Sequence, residues 1–305
     1  MNEMDYRGLA ALDAVVDYGS FDKAADKLAI TQSAVSQRIR ILENSCGEVL
    51  VVRSQPPQAT DAGQRLIAHY RQVKLLEAAL QRRVGPQDDI PEIAIAANAD
   101  SAATWLQEAV APLMLSGDCL LNIRLDDQDH TLSQLREGRV FACVTSESSR
   151  VPGTTATPLG TMRYLCVASP RFAKRWFADG FTADAVRRAP ALLFDRKDAI
   201  LERYVTQKLG RIKRIPHHSL SSSDGFVRFI EAGLAYGMIP VQQCEAGLKR
   251  GRLLDLTPSD GLDVALIWHA WDIQTPLTRR LSEQVIATAR KWLRQPPAAA
   301  DGARH

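Results

Sequence analysis

The first third of the chain places apolar residues at a helical period. From Asp5 to Val16, Tyr6, Leu9, Leu12, Val15 and Val16 recur at steps of three and four, which predicts a helix with one apolar face, closed by Gly19. Ser20 suits the cap of a second, short helix that ends near Ala29, with Phe21, Ala24, Ala25 and Leu28 facing inward. A third helix opens at Thr31 and runs to Glu43, its apolar stripe made by Ala34, Val35, Ile39 and Leu42. After Gly47, the run Val49 to Val52 reads as a strand. The stretch from Arg53 to Thr60, with Pro56 and Pro57, reads as a stiffened turn and return, so the segment forms a β-wing.

The outer face of the third helix carries Gln32, Ser33, Ser36, Gln37, Arg38 and Arg40. Short hydroxyls and amides reach base edges and phosphates in a groove, and arginines add charge-assisted phosphate bonds or a fork onto guanine. Thr31, Gln32, Ser33, Ser36, Gln37, Arg38 and Arg40 are therefore candidate DNA contacts. Ser20 joins them from the second helix, and Arg53 and Pro56 from the wing, which reaches the backbone or minor groove. On periodicity alone, three amphipathic helices with polar faces are equally a plain bundle.

From Gln64 to the stop at Gly85-Pro86, Leu66, Tyr70, Val73 and Leu80 form a narrow seam with Leu75 and Leu76 beside it. Such a seam suits a partner helix; the alternative is a helix packed on its own domain. Arg65, Arg71, Lys74, Arg82 and Arg83 make this helix the basic element. Beyond Pro91 the period switches. Strands at 93–97, 120–125 and 141–145 alternate with helices at 102–115 and 131–137, and further strands follow at 164–168, 192–194, 236–239 and 264–268 before a closing helix at 277–293. This alternation predicts an α/β sensor built on a parallel sheet.

In such sheets ligands lie beyond the carboxyl ends of strands, where helix N-termini point their free N–H groups. Asn98, Asp100 and Ser101 follow the first strand, and Ser222, Ser223 and Asp224 precede the helix from Phe226 to Ala232. Asp126, Asp127 and Gln128 end the second strand and gather carboxylates, and Ser146 ends the third. These are the candidate effector residues. Each cluster has an ordinary alternative as a helix cap or a solvated turn.

Composition narrows the class. At 305 residues the chain fits about two or three domains, and 46% hydrophobic and 24% charged residues are those of a globular protein. No apolar run approaches the roughly 20 residues of a spanning helix, and Met1 to Asp5 has no signal-peptide layout, so a cytoplasmic protein without membrane contact is expected. The net charge of +3 says little about nucleic acid. Residues 1–63 are slightly acidic, so DNA binding rests on where the few cations sit. The five cysteines lie far apart and read as small buried apolar residues, and the histidines show no ligand spacing, so neither metal nor cofactor is expected. Ser146, His130 or Cys143 is conceivable as nucleophile or base, but no nucleophile elbow or phosphate loop accompanies them, and an enzyme is not expected. A solute-binding protein with a helical head is the remaining alternative.

Leu12 through Gly63 resembles the DNA-binding domain of LysR-type regulators nearly position by position. The match runs through Gly19-Ser20-Phe21, Ala24-Ala25, Leu28, Thr31 to Ser36, Ile39, Leu42-Glu43, Gly47, Leu50, Arg53, Thr60 and Ala62-Gly63. Val51 stands where the family usually carries phenylalanine, and keeps the site apolar. The wing from Arg53 to Thr60 is similar to that of the lysine and arginine export regulators, also called chromosome-initiation inhibitors. The resemblance implies a winged helix-turn-helix at 1–63, a dimerising linker helix and hinge at 64–90, a two-lobed periplasmic-binding-protein-like effector domain at 91–297 in which the chain crosses near Thr161 and returns near Trp268, and a disordered tail at 298–305. It further implies a homodimer or homotetramer on an inverted-repeat operator, contact with RNA polymerase, and a small effector, lysine or arginine, whose cationic end needs an anion such as Asp127. A regulator of another pathway answering a different metabolite is the alternative.

Overall fold

A computed structural model describes residues 4–84, 90–125 and 131–295. Three helices open the chain: α1 (Tyr6–Tyr18), α2 (Phe21–Leu28) and α3 (Gln32–Cys46). Side-chain caps explain their starts, since Asp5 accepts from the backbone of Arg7 and Gly8, Ser20 from Asp22 and Lys23, and Thr31 from Ala34. Left-handed Gly19 and Gly47 close α1 and α3. Leu9, Leu12, Val15, Val35, Ile39, Leu42 and Leu50 are fully buried between them. The wing is a two-stranded antiparallel ribbon, β1 (Val51–Val52) and β2 (Gln58–Ala59), with Val51 opposite Ala59.

Helix α4 (Asp61–Val84) begins three residues before the expected start at Gln64. The Thr60 hydroxyl accepts from Gly63 N–H and donates to the Val49 carbonyl, so it caps α4 while tying it to the wing. The seam expected along this helix is divided. Leu66 and Tyr70 pack on the head's own core, Leu75 packs on the core of the following domain, and Leu76 and Leu80 are left exposed.

The remaining chain forms two lobes on one continuous sheet. Lobe 1 holds β3 (Glu92–Ala97), β4 (Leu120–Leu125) and β5 (Ala142–Thr145). Its helices are α5 (Ala99–Ser101), which continues through a π turn at Ala102–Leu106 into α6 (Gln107–Leu115), then α7 (Thr131–Arg136) and α13 (Pro276–Trp292). Lobe 2 holds β7 (Ala191–Leu193), β8 (His217–Ser219), β9 (Tyr236–Pro240) and β10 (Leu254–Asp255), with α8 (Pro170–Trp176), α9 (Ala183–Arg188), α10 (Ile200–Leu209), α11 (Ser223–Glu231) and α12 (Val241–Lys249). The long strands β6 (Thr154–Ala168) and β11 (Leu262–Trp271) run through both lobes, and their register shifts between Leu266 and Ile267.

The expected parallel sheet is thus corrected to a mixed one. The pairs β3–β4, β3–β5, β7–β8 and β7–β9 are parallel, while β6–β11, β5–β11 and β6–β9 are antiparallel. The reason is the double crossing: a strand that leaves lobe 1 and one that returns to it must run in opposite directions at the joint. Trp105 and Trp268 fill the core of this region with no exposed surface to speak of, and Trp268 Nε1 donates to Ser282 Oγ at 3.1 Å. Four cysteines are buried as expected, but Cys46 is exposed, because the last turn of α3 extends past its apolar stripe. Among the described residues no helix is long and apolar enough to cross a membrane.

Candidate functional site

The outer face of α3 presents Gln32, Ser33, Gln37 and Arg40 to solvent, with Ser36 and Arg38 half-buried at its margins. Thr31 and Ser20 lie at helix starts with their hydroxyls engaged as caps, and Thr31 Oγ1 lies 2.9 Å from Ser33 Oγ. Arg53 leaves the wing with its guanidinium 5.4 Å above the Phe21 ring, a cation–π contact that holds it beside the second helix. Pro56, exposed, forms the tip of the wing after a cis peptide bond.

The acidic count of the head looks different once partners are known. Asp5 caps α1, Asp13 and Asp17 pair with Arg71, and Glu43 Oε1 accepts from the N–H groups of Leu50 and Val51 at 2.9 and 3.4 Å. These four carboxylates are occupied in holding the head together, while Asp22, Asp26, Glu48 and Asp61 stay exposed; Arg40 and Arg53 lie on the outward surface, as do Arg7, Lys23 and Lys27. Arg71, by contrast, is turned away from phosphate into the protein.

The second site is a pocket where the lobes meet. Its wall includes Asn98, Asp100 and Ser146 from the ends of β3 and β5, Tyr164 from β6, Ser223 and Phe226 from α11, and Gln243 from α12. A loop after β7 adds Phe194, Asp195, Lys197 and Asp198, and α10 adds Arg203. Asp100 is the link between the lobes: Tyr164 donates to its Oδ2 and Ser223 to its Oδ1, each at 2.8 Å, and Gln243 Nε2 donates to Ser223 Oγ at 2.9 Å. Burial pushes the Asp100 carboxyl above the usual carboxylate range, against the pull of these two hydrogen bonds. Asp198 is raised for the same reason, although it accepts from the N–H groups of Phe194 and Ile200 at 2.9 and 3.0 Å.

Asn98 is only 3% exposed, and neither its Oδ1 nor its Nδ2 has a partner among the described residues. As the residue before α5 it makes no side-chain cap bond, so the ordinary explanation for an asparagine there does not apply. A buried amide with four unfilled hydrogen-bonding positions costs about 1–3 kcal/mol or more, a cost that a polar ligand in the pocket would relieve.

Of the residues expected from sequence, Asn98, Asp100, Ser146 and Ser223 line this one pocket. Ser101 is fully buried beside it, Ser222 caps α11 through Gly225 N–H, and Asp224 is exposed on the first turn of that helix. Asp126, Asp127 and Gln128 lie outside the described residues. The sequence reading missed Tyr164, Asp195, Lys197, Asp198, Arg203 and Gln243. The segment Asp195-Arg196-Lys197-Asp198 was open to the same logic as Asn98, since it follows a strand and precedes a helix.

Two family models match the chain: the bacterial regulatory helix-turn-helix protein, lysR family, over residues 6–64, and the LysR substrate binding domain over residues 87–290. The chain is 43% identical over 299 residues to the HTH-type transcriptional regulator ArgP of Photobacterium profundum, covering 97% of this chain and 100% of that one. The structure of ArgP from Mycobacterium tuberculosis superposes with a TM-score of 0.86 at 41% identity, covering 96% of this chain and all of that one. Full-length LysG from Corynebacterium glutamicum, solved with its effector Arg bound, superposes with a TM-score of 0.79 at 34% identity, covering 95% of this chain and all of that one.

Proposed function

This chain belongs to the LysR family of bacterial transcriptional regulators, a family of DNA-binding proteins and not of enzymes, and from that premise we propose that it answers to arginine or lysine held between its lobes and controls amino-acid export genes. The observation that carries the effector reading is the charge of the pocket. Asp100, Asp195 and Asp198 set three carboxylates against the two cations Lys197 and Arg203, which complements a ligand carrying one surplus positive charge. In this reading Asp100 and Asp198 attract the cationic groups, Arg203 or Lys197 meets the carboxylate, and Asn98 spends its unpaired amide on the ligand's polar atoms. LysG with bound Arg supports the same ligand class.

The DNA half rests on the outer face of α3. Two chains, joined through α4 where Leu76 and Leu80 stand 50% and 62% exposed, place two such faces on an inverted repeat. Gln32 and Ser36 read bases, and Arg53 grips the backbone. Replacing Gln32 or Ser36 by alanine is therefore expected to weaken operator binding by about 1–3 kcal/mol and leave random DNA nearly unchanged. Arg53→Ala weakens both alike and lowers the salt slope by about one. Gel-shift titrations on operator and scrambled duplexes check this, and equal losses on both duplexes for all three variants would refute the division of labour.

A further inference from the structure

Arg71 stands at the meeting point of three parts of the chain. Projecting from α4, it donates through Nε to Asp13 Oδ1 at 2.6 Å and through Nη2 to Asp17 Oδ1 at 3.3 Å, both on α1 of the head. Its Nη1 donates to the Gly138 carbonyl oxygen at 3.3 Å, in the turn after α7 of lobe 1. Arg124, on edge strand β4 of lobe 1, adds a second tie to Asp17 at 3.8 Å. Below these polar contacts the backbones meet. Gly138 has a left-handed φ of +65° and sits on Ala68 of α4 so closely that a Cβ there would lie 2.4 Å from the Ala68 Cα. Leu75, one turn along α4, packs on the core of the sensor.

We infer that Arg71 is the pin of a latch that fastens the reading head to lobe 1 of its own chain, and that occupancy of the inter-lobe pocket changes the head's placement through this latch. The inference rests on the effector reading above for its trigger, and on the contacts alone for its existence. Both lobe 1 anchors connect directly to the pocket wall. Strand β4, which carries Arg124, pairs along its whole length with β3, and β3 leads into Asn98 and Asp100. Helix α7 packs on β3, β5 and β11, and Thr131 at its start donates to the carbonyl of Val144 in β5, two residues before Ser146 of the pocket.

The chemistry suits a contact that is made or broken as a unit. A guanidinium is planar, so one orientation must satisfy Asp13, Asp17 and Gly138 together, and a shift of lobe 1 that removes the Gly138 carbonyl disturbs all three. At this junction lobe 1 meets α4 and α1 through the Arg71–Gly138 hydrogen bond, the Arg124–Asp17 ion pair and the close approach of Gly138 to Ala68. Partly exposed pairs of this kind hold weakly and exchange readily with water, so a modest difference in pocket occupancy is enough to bias it.

The test is a spin-label distance between exposed Cys46 on the head and a Ser148→Cys label on lobe 1, in full-length protein with labelled chains diluted into unlabelled ones. Without substitution, arginine is expected to shift the distance distribution. In Arg71→Ala the distribution is broad and insensitive to arginine, while arginine affinity by calorimetry stays within about twofold. Gly138→Ala, which prevents the close approach without touching any ion-pairing side chain, is expected to behave in the same way and guards against a folding defect in the arginine variant. A distribution that responds to arginine in both variants as it does in the unsubstituted protein overturns the latch. Should the unsubstituted protein bind no arginine, the effector reading falls alone. The latch then stands or falls on the free protein, where Arg71→Ala must broaden the distribution and an unchanged one refutes it.

Discussion

Asp100→Asn is expected to weaken arginine binding by about 100-fold while the protein still folds and still binds DNA. The carboxylate lies in the pocket wall, receives hydrogen bonds from Tyr164 and Ser223, and belongs to the surplus negative charge of the pocket. Removing one member of a buried ion pair costs about 3–5 kcal/mol; the asparagine keeps the shape and one acceptor, which places the loss near the lower end, and each 1.4 kcal/mol is about tenfold in affinity. Citrulline, which lacks the side-chain cation, should bind both proteins poorly. Calorimetric titration checks this, and an affinity within threefold of the unsubstituted protein would remove Asp100 from the site. The sign of the pH dependence follows from the same carboxyls. In the free protein Asp100 and Asp198 are held above their ordinary range by burial. A bound cation favours their ionised forms and lowers them, so binding releases protons between the bound and free values and affinity falls as pH drops through the raised free values.

Gly63→Ala is expected to disable the head while sparing the sensor. Gly63 lies in the first turn of α4 against the wing strand, where an added Cβ would stand 2.1 Å from the Leu50 carbonyl oxygen and 3.0 Å from its carbon. Both are backbone atoms of a fully buried residue that cannot swing aside, so either α4 or the wing must move, at a cost of about 3 kcal/mol or more. The head's core spans α1, α2, α3 and the start of α4, and a loss of that size is a large share of what a unit this small has to spare. Operator binding should fall at least tenfold, with arginine binding in the pocket unchanged. Gel shift and calorimetry on the same preparation decide it, and normal operator affinity would show that wing and linker are less tightly joined than the geometry states.

The head was legible in the sequence because local signals agree there. Ser20 takes the capping role expected of it, the third helix opens after Thr31, and the apolar stripes of α1 and α3 become its core. The family resemblance is carried by this same head, and the lysR helix-turn-helix model matches residues 6–64. The sensor was read less well. The first half of β6, from Thr154 to Gly160, is rich in threonine and carries Pro158, so it looks like a loop, yet it pairs with β11 at the joint between the lobes. Helices α8, α9, α10 and α12 are short, and the pocket draws on the Asp195 to Asp198 loop and on single residues such as Arg203 of α10 and Gln243 of α12. Asp100 was picked for its place after a strand; that it bridges the lobes through Tyr164 and Ser223, 64 and 123 residues away, depends on tertiary contacts that no local pattern carries.

The division of the seam along α4 has the same origin. Period alone groups Leu66, Tyr70, Val73 and Leu80 on one stripe, but the helix runs from the head to the sensor and each core claims its nearest residues. Leu76 and Leu80 remain exposed, outside both cores.

The most direct test of the account is a thermal-shift screen of the full-length protein against the twenty amino acids at neutral pH, repeated for arginine and lysine at acid pH. A ligand that binds the folded state alone raises the melting temperature by mass action. Stabilisation by arginine or lysine alone among the twenty is expected, diminishing on acidification and absent in Asp100→Asn. Stabilisation by a neutral or acidic amino acid, or by none, would contradict it.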